Sequence, residues 1–253
     1  MSINPNDLVM NAKSAILIEC KSREVLFEKN VHIRYPMASL TKLMTLLLIL
    51  REIDNGGLNW SEPVRVTERA TQTRGSRLYL KAGDVLSVED MFKAILISSA
   101  NDAAEAMAEH ICGSTKMFVR KMNKYAKKYK LRNTHYMNPH GLPRKNHFST
   151  AFDVAQLAIR LVSRQEILTY SHRKHDYIYQ GEIKKIYNTN QLLTRMVEVD
   201  GLKTGYTPQA GYCLAASARK NGIHLVAVIL GEPSMEKRDE EMMELLNYGF
   251  ALF

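Results

Sequence analysis

Apolar residues recur with a strand-like spacing near both ends of the chain and with a helical spacing through its middle. Ser14–Cys20 and Glu24–Lys29 read as two strands joined by the turn Lys21-Ser22-Arg23. Leu40 to Glu52 reads as a helix that ends at Asn55-Gly56-Gly57, and Asn59 to Val66 as a loop with a short strand. From Thr67 to about Val162 the period is mostly helical, clearest over Val88–Ile97, Asp102–Ile111, Thr115–Tyr129 and Ala151–Val162. Residues 163–187 are mixed, with a short strand expected around Tyr177–Gln180. Gly201–Thr207, Tyr212–Ala218 and His224–Leu230 read as strands, and Met235–Phe253 as a closing helix. If the first two strands pair with the last three, the ends of the chain meet in a five-stranded antiparallel sheet flanked by helices, and the middle forms an all-helical lobe. The expectation is an α/β (α+β) fold in a single unit, 1–253, with an α/β lobe over about 1–66 and 188–253 and a helical lobe over about 67–187. A cleft between two such lobes is where a binding pocket is expected.

Composition narrows the class. The 253 residues are 45% hydrophobic and 24% charged, ordinary for a globular protein with a sizeable core. The longest apolar run, Leu43–Leu50, is far short of the ~20 residues a membrane span requires. Residues 1–13 are polar and lack the apolar segment of a secretory leader. Three widely spaced cysteines, Cys20, Cys112 and Cys213, suggest neither a zinc site nor a disulfide framework. They read as small buried residues, with one disulfide left open. His135, His140 and His147, and separately His172 and His175, lack metal-ligand spacing. His140-Gly141 is expected to shape a loop at the bottom of the cleft. The net charge of +9 concentrates at Lys116, Arg120, Lys121, Lys124, Lys127, Lys128 and Lys130. That stretch reads as a solvated helix face, or as a surface for anionic polymers or lipid headgroups. No nucleic-acid motif accompanies it.

Three short segments carry candidate chemistry. In Ser39-Leu40-Thr41-Lys42 a hydroxyl and an amine lie three residues apart, on one face of a helix. A serine becomes a useful nucleophile only when a base removes its proton. Lysine can be that base at neutral pH if its pKa falls by roughly 3 units from about 10.4, which burial and a second cation favour. The same four residues also fit a helix cap followed by a surface lysine. Ser99-Ala100-Asn101, at a junction between two helices, fits either a pair of caps or a proton relay (Ser99) and a polar donor (Asn101). Lys203-Thr204-Gly205, with Tyr206 and Thr207, fits an ordinary edge strand. It equally fits a strand that pairs with a peptide, bringing Lys203 near Lys42 and the Thr204 hydroxyl to a carboxylate.

Together and in this order the segments resemble the penicillin-binding protein and serine β-lactamase superfamily, whose middle motif is more often Ser-Asp-Asn than the Ser-Ala-Asn found here. The contexts Pro36-Met37-Ala38-Ser39-Leu40-Thr41-Lys42, Ile97-Ser98-Ser99-Ala100-Asn101-Asp102-Ala103, Asn138-Pro139-His140-Gly141-Leu142 and Asp200-Gly201-Leu202-Lys203-Thr204-Gly205-Tyr206-Thr207 look like those of the low-molecular-mass D-alanyl-D-alanine carboxypeptidases. The resemblance runs from about Ala15 to the C-terminus. It implies a β-lactamase/transpeptidase-like fold and a serine enzyme that removes the terminal D-alanine of peptidoglycan stem peptides through an acyl-enzyme, with no cofactor or metal. It assigns Ser39, Lys42, Ser99, Asn101 and Lys203 to catalysis. Thr204, Gly205, Tyr206, Thr207 and Arg238 are assigned to substrate binding, Arg238 as the basic partner of Thr204. An arginine that the family can use ahead of the third motif has no counterpart in Tyr187-Asn188-Thr189-Asn190. β-Lactam antibiotics are implied as covalent inhibitors, and an extracytoplasmic location at the cell wall. Family members usually carry a C-terminal β-rich domain and a membrane anchor, and the catalytic part is expected to end near Phe253. A serine β-lactamase, an esterase of the same fold, and a non-catalytic wall-binding or antibiotic-sensing protein are the alternatives.

Overall fold

The computed structural model describes residues 8–253, so the polar segment 1–13 lies partly outside the described residues. The elements run β1 (Ser14–Glu19), β2 (Val25–Lys29), α1 (Lys42–Asp54), β3 (Pro63–Arg65), α2 (Glu68–Thr71), β4 (Val85–Ser87), α3 (Val88–Leu96), α4 (Asn101–Cys112) and α5 (Thr115–Lys128). They continue with α6 (Ala151–Val162), α7 (Gln165–Ser171), β5 (His175–Tyr179), β6 (Ile183–Tyr187), α8 (Leu192–Arg195), β7 (Val199–Thr207), β8 (Gly211–Lys220), β9 (Ile223–Glu232) and α9 (Met235–Ala251). A short 3₁₀ turn, Ala38–Thr41, leads into α1.

Five strands form one antiparallel sheet in the order β2-β1-β9-β8-β7. The chain's two ends therefore share a sheet through β1 and β9, and β7 is left as an edge. Alternation along the strands divides the core. Ile16, Ile18, Val226 and Val228 face one large cluster with α1, α3, α4 and α6. Ala15, Leu17, Ala227 and Ile229 face a second cluster with Met242, Leu245 and Leu246 of α9. Period-2 side-chain direction is what lets one sheet serve both.

The central helix α1 is buried along Lys42–Leu50. An apolar run of that length is covered on every side, which explains why the sequence shows no polar stripe there. Helix α4 is rich in buried alanine (Ala103, Ala104, Ala106, Ala108), so it packs closely against α3, α1 and α5. Hydroxyl caps start four of the longer helices: Ser87 for α3, Ser114 for α5, Thr150 for α6 and Ser234 for α9.

Two details differ from the sequence reading. The middle of the chain is not purely helical, because it contributes β4 and the ribbon β5–β6. In addition, α6 packs on β1 and β9 and so belongs to the cover of the sheet. The three cysteines are free thiols, Cys213 buried and the other two partly so. The basic face of α5 is exposed at Lys116, Arg120, Lys124, Lys127 and Lys128, while Phe118, Met122 and Ala126 are buried beneath it.

Candidate active site

Ser39 lies inside the 3₁₀ turn, where side chains three apart eclipse one another. Its Oγ caps no helix. It sits 2.9 Å from the Nζ of Lys42, the first residue of α1. The helix-cap alternative for this segment therefore does not hold. The same is true at the second segment: α4 starts after Ala100 with no side-chain cap, and the Asn101 side chain turns inward.

Lys42 is fully buried. Its Nζ donates to Asn101 Oδ1 (2.5 Å) and to the backbone carbonyl of His140 (2.8 Å). A neutral amine has two N–H bonds and one lone pair. With both N–H bonds directed to carbonyl-type oxygens, the third direction, toward Ser39 Oγ, is left for the lone pair. Burial is the first cause that holds the Lys42 amine well below its ordinary pKa, and the nearby charge of Lys203 adds to it. The Asp102 charge works in the opposite sense without reversing it.

Asn101 is itself fixed. Its Nδ2 donates to the Arg74 carbonyl (2.6 Å), so its oxygen has to face Lys42. The His140 carbonyl is fixed by the loop Asn138–Leu142. Asn138 Oδ1 accepts the N–H of His140 (3.2 Å) and of Gly141 (2.6 Å), and Thr45 of α1 donates to the Pro139 carbonyl (2.6 Å). Gly141 has φ +98°, and a Cβ placed there would lie 1.9 Å from the Ala38 carbonyl oxygen. Only glycine allows this loop to press against the turn that carries the serine. Ala38 and Ser99 are both non-glycine residues at positive φ, 46° and 62°. Each such conformation costs about 1–2 kcal/mol, and both flank the same cleft.

That cleft has a volume of about 480 Å³. Ser39, Ser99, Asn101, Thr204, Gly205, Tyr206, Thr207 and Arg238 all line it, together with Thr189 and Tyr212. Strand β7 forms one wall. Its Gly205 approaches the serine so closely that a Cβ there would stand 3.0 Å from the Ser39 nitrogen. Tyr206 is exposed and rests on the Tyr212 ring, centroids 4.3 Å apart.

Lys203 is buried, and its Nζ donates to the Thr204 carbonyl (3.2 Å). Among the described residues its amine has no carboxylate partner and no hydrogen bond to Ser99 or Lys42. Burial, then the Arg238 charge, lowers its pKa to about 7. Thr204 Oγ1 donates to Thr189 Oγ1 (2.7 Å) and not toward Arg238. The buried Arg238 guanidinium donates through Nε (2.9 Å) and Nη2 (2.7 Å) to Asp239 Oδ1. The cleft thus gathers all the sequence candidates along its walls or directly behind them, but among the described residues the only side-chain hydrogen bonds between candidates are those of Lys42 to Ser39 and to Asn101. The His140 carbonyl and Thr189 escaped the sequence reading. A carbonyl carries no residue signature, and a lone threonine such as Thr189 belongs to no motif.

Comparison with known proteins agrees with this geometry. The profile of a family described as D-alanyl-D-alanine carboxypeptidase (peptidase S11) matches residues 2–234. The D-alanyl-D-alanine carboxypeptidase DacF of Bacillus subtilis (strain 168) is 41% identical over 250 residues, covering 98% of this chain and 64% of that protein. Penicillin binding protein 5 of Haemophilus influenzae superposes with a TM-score of 0.92 at 33% identity, over 99% of this chain and 73% of that one. Penicillin-binding protein D2 of Listeria monocytogenes, solved in an ampicillin-bound form, superposes with a TM-score of 0.87 at 31% identity, over 96% and 99%. The chain spans 62–64% of the length of the first three curated relatives it matches.

Proposed function

The chain belongs to the D-alanyl-D-alanine carboxypeptidase family, and from that premise we propose that it removes the terminal D-alanine of peptidoglycan stem peptides by acyl transfer to Ser39. The observation that carries this reading is the buried Lys42 amine, 2.9 Å from the serine hydroxyl and also bonded to the Asn101 and His140 oxygens, an arrangement in which a neutral amine turns its lone pair to Ser39. Lys42 takes the Ser39 proton as Oγ attacks the carbonyl between the two terminal D-alanines. The backbone N–H groups of Ser39 and Tyr206 receive the developing oxyanion, which the close approach of Gly205 to the Ser39 nitrogen supports. Ser99 and Lys203 return a proton to the leaving amine. A lysine with a pKa near 7 suits such exchange at neutral pH. Thr204 binds the terminal carboxylate, with Thr189 steadying its hydroxyl. Arg238 contributes through Nη1, which has no protein partner among the described residues, while Asp239 holds the rest of the guanidinium. Water then releases the shortened peptide.

β-Lactams, which mimic the scissile amide and its carboxylate, acylate the same serine. Such work lies outside the cytoplasm, at the wall. The exposed lysines of α5 suit contact with its anionic polymers or with a membrane surface.

Mass spectrometry of a pentapeptide ending in D-Ala-D-Ala tests the activity: loss of one alanine is expected, and an unchanged peptide would refute it. Lys42→Ala should slow labelling by a fluorescent penicillin by about 10²–10⁴-fold, as loss of a general base does. Near-normal labelling would remove Lys42 from that role. Arg238→Ala should raise KM for substrates with a free terminal carboxylate far more than for their amides.

A further inference from the structure

Thr41 is the one polar residue of the Ser39–Lys42 segment that the proposed chemistry leaves without a task, and it is fully buried. Buried hydroxyls are hydrogen-bonded, and this one has two partners. Its Oγ1 donates to the Ala38 carbonyl (2.8 Å) and lies 2.7 Å from Nε2 of the buried His147. A hydroxyl has a single proton. With that proton on Ala38, the oxygen accepts from the Nε2–H of His147. The opposite side of the ring agrees. His147 Nδ1 accepts the Met137 N–H (2.9 Å), so it carries a lone pair, and the one proton of the neutral ring sits on Nε2. Burial, then the His135 charge, lowers the His147 pKa to about 4, so the ring is neutral at pH 7. The ring is itself held in place. It packs edge-on to the buried Tyr136, centroids 6.1 Å apart, and the next residue, Phe148, exchanges two backbone hydrogen bonds with His135.

The hydrogen bonds from the Met137 N–H through His147 and Thr41 therefore run in one direction and end on the Ala38 carbonyl. Ala38 has φ +46°, a conformation that its surroundings have to enforce. Its carbonyl belongs to the same planar unit as the Ser39 N–H. In a trans peptide the two point to opposite sides, so a bond that fixes the carbonyl also aims the N–H. That N–H is one of the two donors assigned above to the developing oxyanion, and such donors act only if they are aimed in advance.

We propose that His147 is a positioning residue for the oxyanion site: through the Thr41 hydroxyl it holds the Ala38–Ser39 peptide plane so that the Ser39 N–H faces the cleft. The inference rests on the proposed function for the role of that N–H. It separates His147 from a histidine that merely fills the core, because its loss should slow the bond-making step and leave ground-state binding unchanged.

Stopped-flow acylation by a fluorescent penicillin tests this, since it separates the initial binding constant, Ks, from the acylation rate, k2. His147→Leu is expected to lower k2 by about 10–100-fold, with Ks changed by no more than about twofold; outright loss of an oxyanion donor costs about 10²–10³. His147→Gln, which offers both a donor and an acceptor, should recover most of k2. Thr41→Val should resemble His147→Leu, and the double variant should be no slower than the slower single one, because both changes cut the same chain of bonds. Effects that multiply, a loss that falls on Ks, or a His147→Gln protein as slow as His147→Leu would overturn the proposal. NMR of the wild type labelled with ¹⁵N at histidine gives a readout independent of activity and of the folding of any variant, the His147 signals being assigned by their loss in His147→Gln. The neutral ring is expected to carry its proton on Nε2, and a proton on Nδ1 would overturn the proposal. A wild type that penicillin fails to acylate would instead count against the proposed activity, and the tautomer would then decide whether the hydrogen-bond chain stands.

Discussion

Gly141 and Gly113 both hold left-handed backbone, yet alanine should affect them very differently. At Gly113, φ +72°, a Cβ would meet nothing within 4 Å, so Gly113→Ala should cost about 1–2 kcal/mol from backbone strain alone. At Gly141 the Cβ would collide with the Ala38 carbonyl, so the loop or the turn that carries Ser39 must move. Urea unfolding should show a loss above about 3 kcal/mol, with penicillin labelling largely abolished. Equal costs for the two variants would mean that the Asn138–Leu142 loop does not press on the serine. Lys203 makes a second prediction at this scale. Its folded pKa of about 7 lies below the ordinary lysine value, so between about pH 7 and 10.5 the unfolded chain holds more protons than the folded one. Stability from this site therefore rises with pH across that window and is flat below it. Lys203→Met should narrow the rise in Tm between pH 7 and pH 10; an identical rise in the variant would show that the amine is not buried as described.

Among the elements, α1 matters most because it carries Lys42 and lies within the larger core cluster. Leu46→Ala, at a fully buried position, should cost about 2–5 kcal/mol, read as a fall in Tm. A much smaller effect would place α1 nearer the surface. Most elements were legible in sequence because each buries one regular face: α6 has the expected bounds, and β7, β8 and β9 extend the expected ones by two or three residues. The strand Ile183–Tyr187 was not, for a physical reason. Each strand of its ribbon buries a single residue, Ile178 and Ile186, so little apolar alternation is left to read. The helical start at Leu40 also proved to be a 3₁₀ turn, a distinction that apolar spacing does not encode. The three motifs were legible because each is local. The contacts that hold them were not: Lys42 to the His140 carbonyl and Thr45 to that of Pro139 span 98 and 94 positions, and their acceptors are backbone atoms.

Across the whole molecule, the sheet joins the two chain ends, the helices of the middle enclose α1, and the serine turn, the α3–α4 junction and β7 meet where these parts adjoin. The burial that stabilises this arrangement also strips water from two lysines, Lys42 and Lys203, that have no carboxylate partner among the described residues. The central claim is that Lys42 is neutral when it meets Ser39. Its most direct test is the titration of the lysine side chains by NMR in protein labelled with ¹³C and ¹⁵N at lysine, with the Lys42 signal assigned by its loss in Lys42→Met. The account predicts that Lys42 titrates well below the usual lysine range. A Lys42 signal that stays protonated until about pH 10.4, as in free lysine, would contradict it.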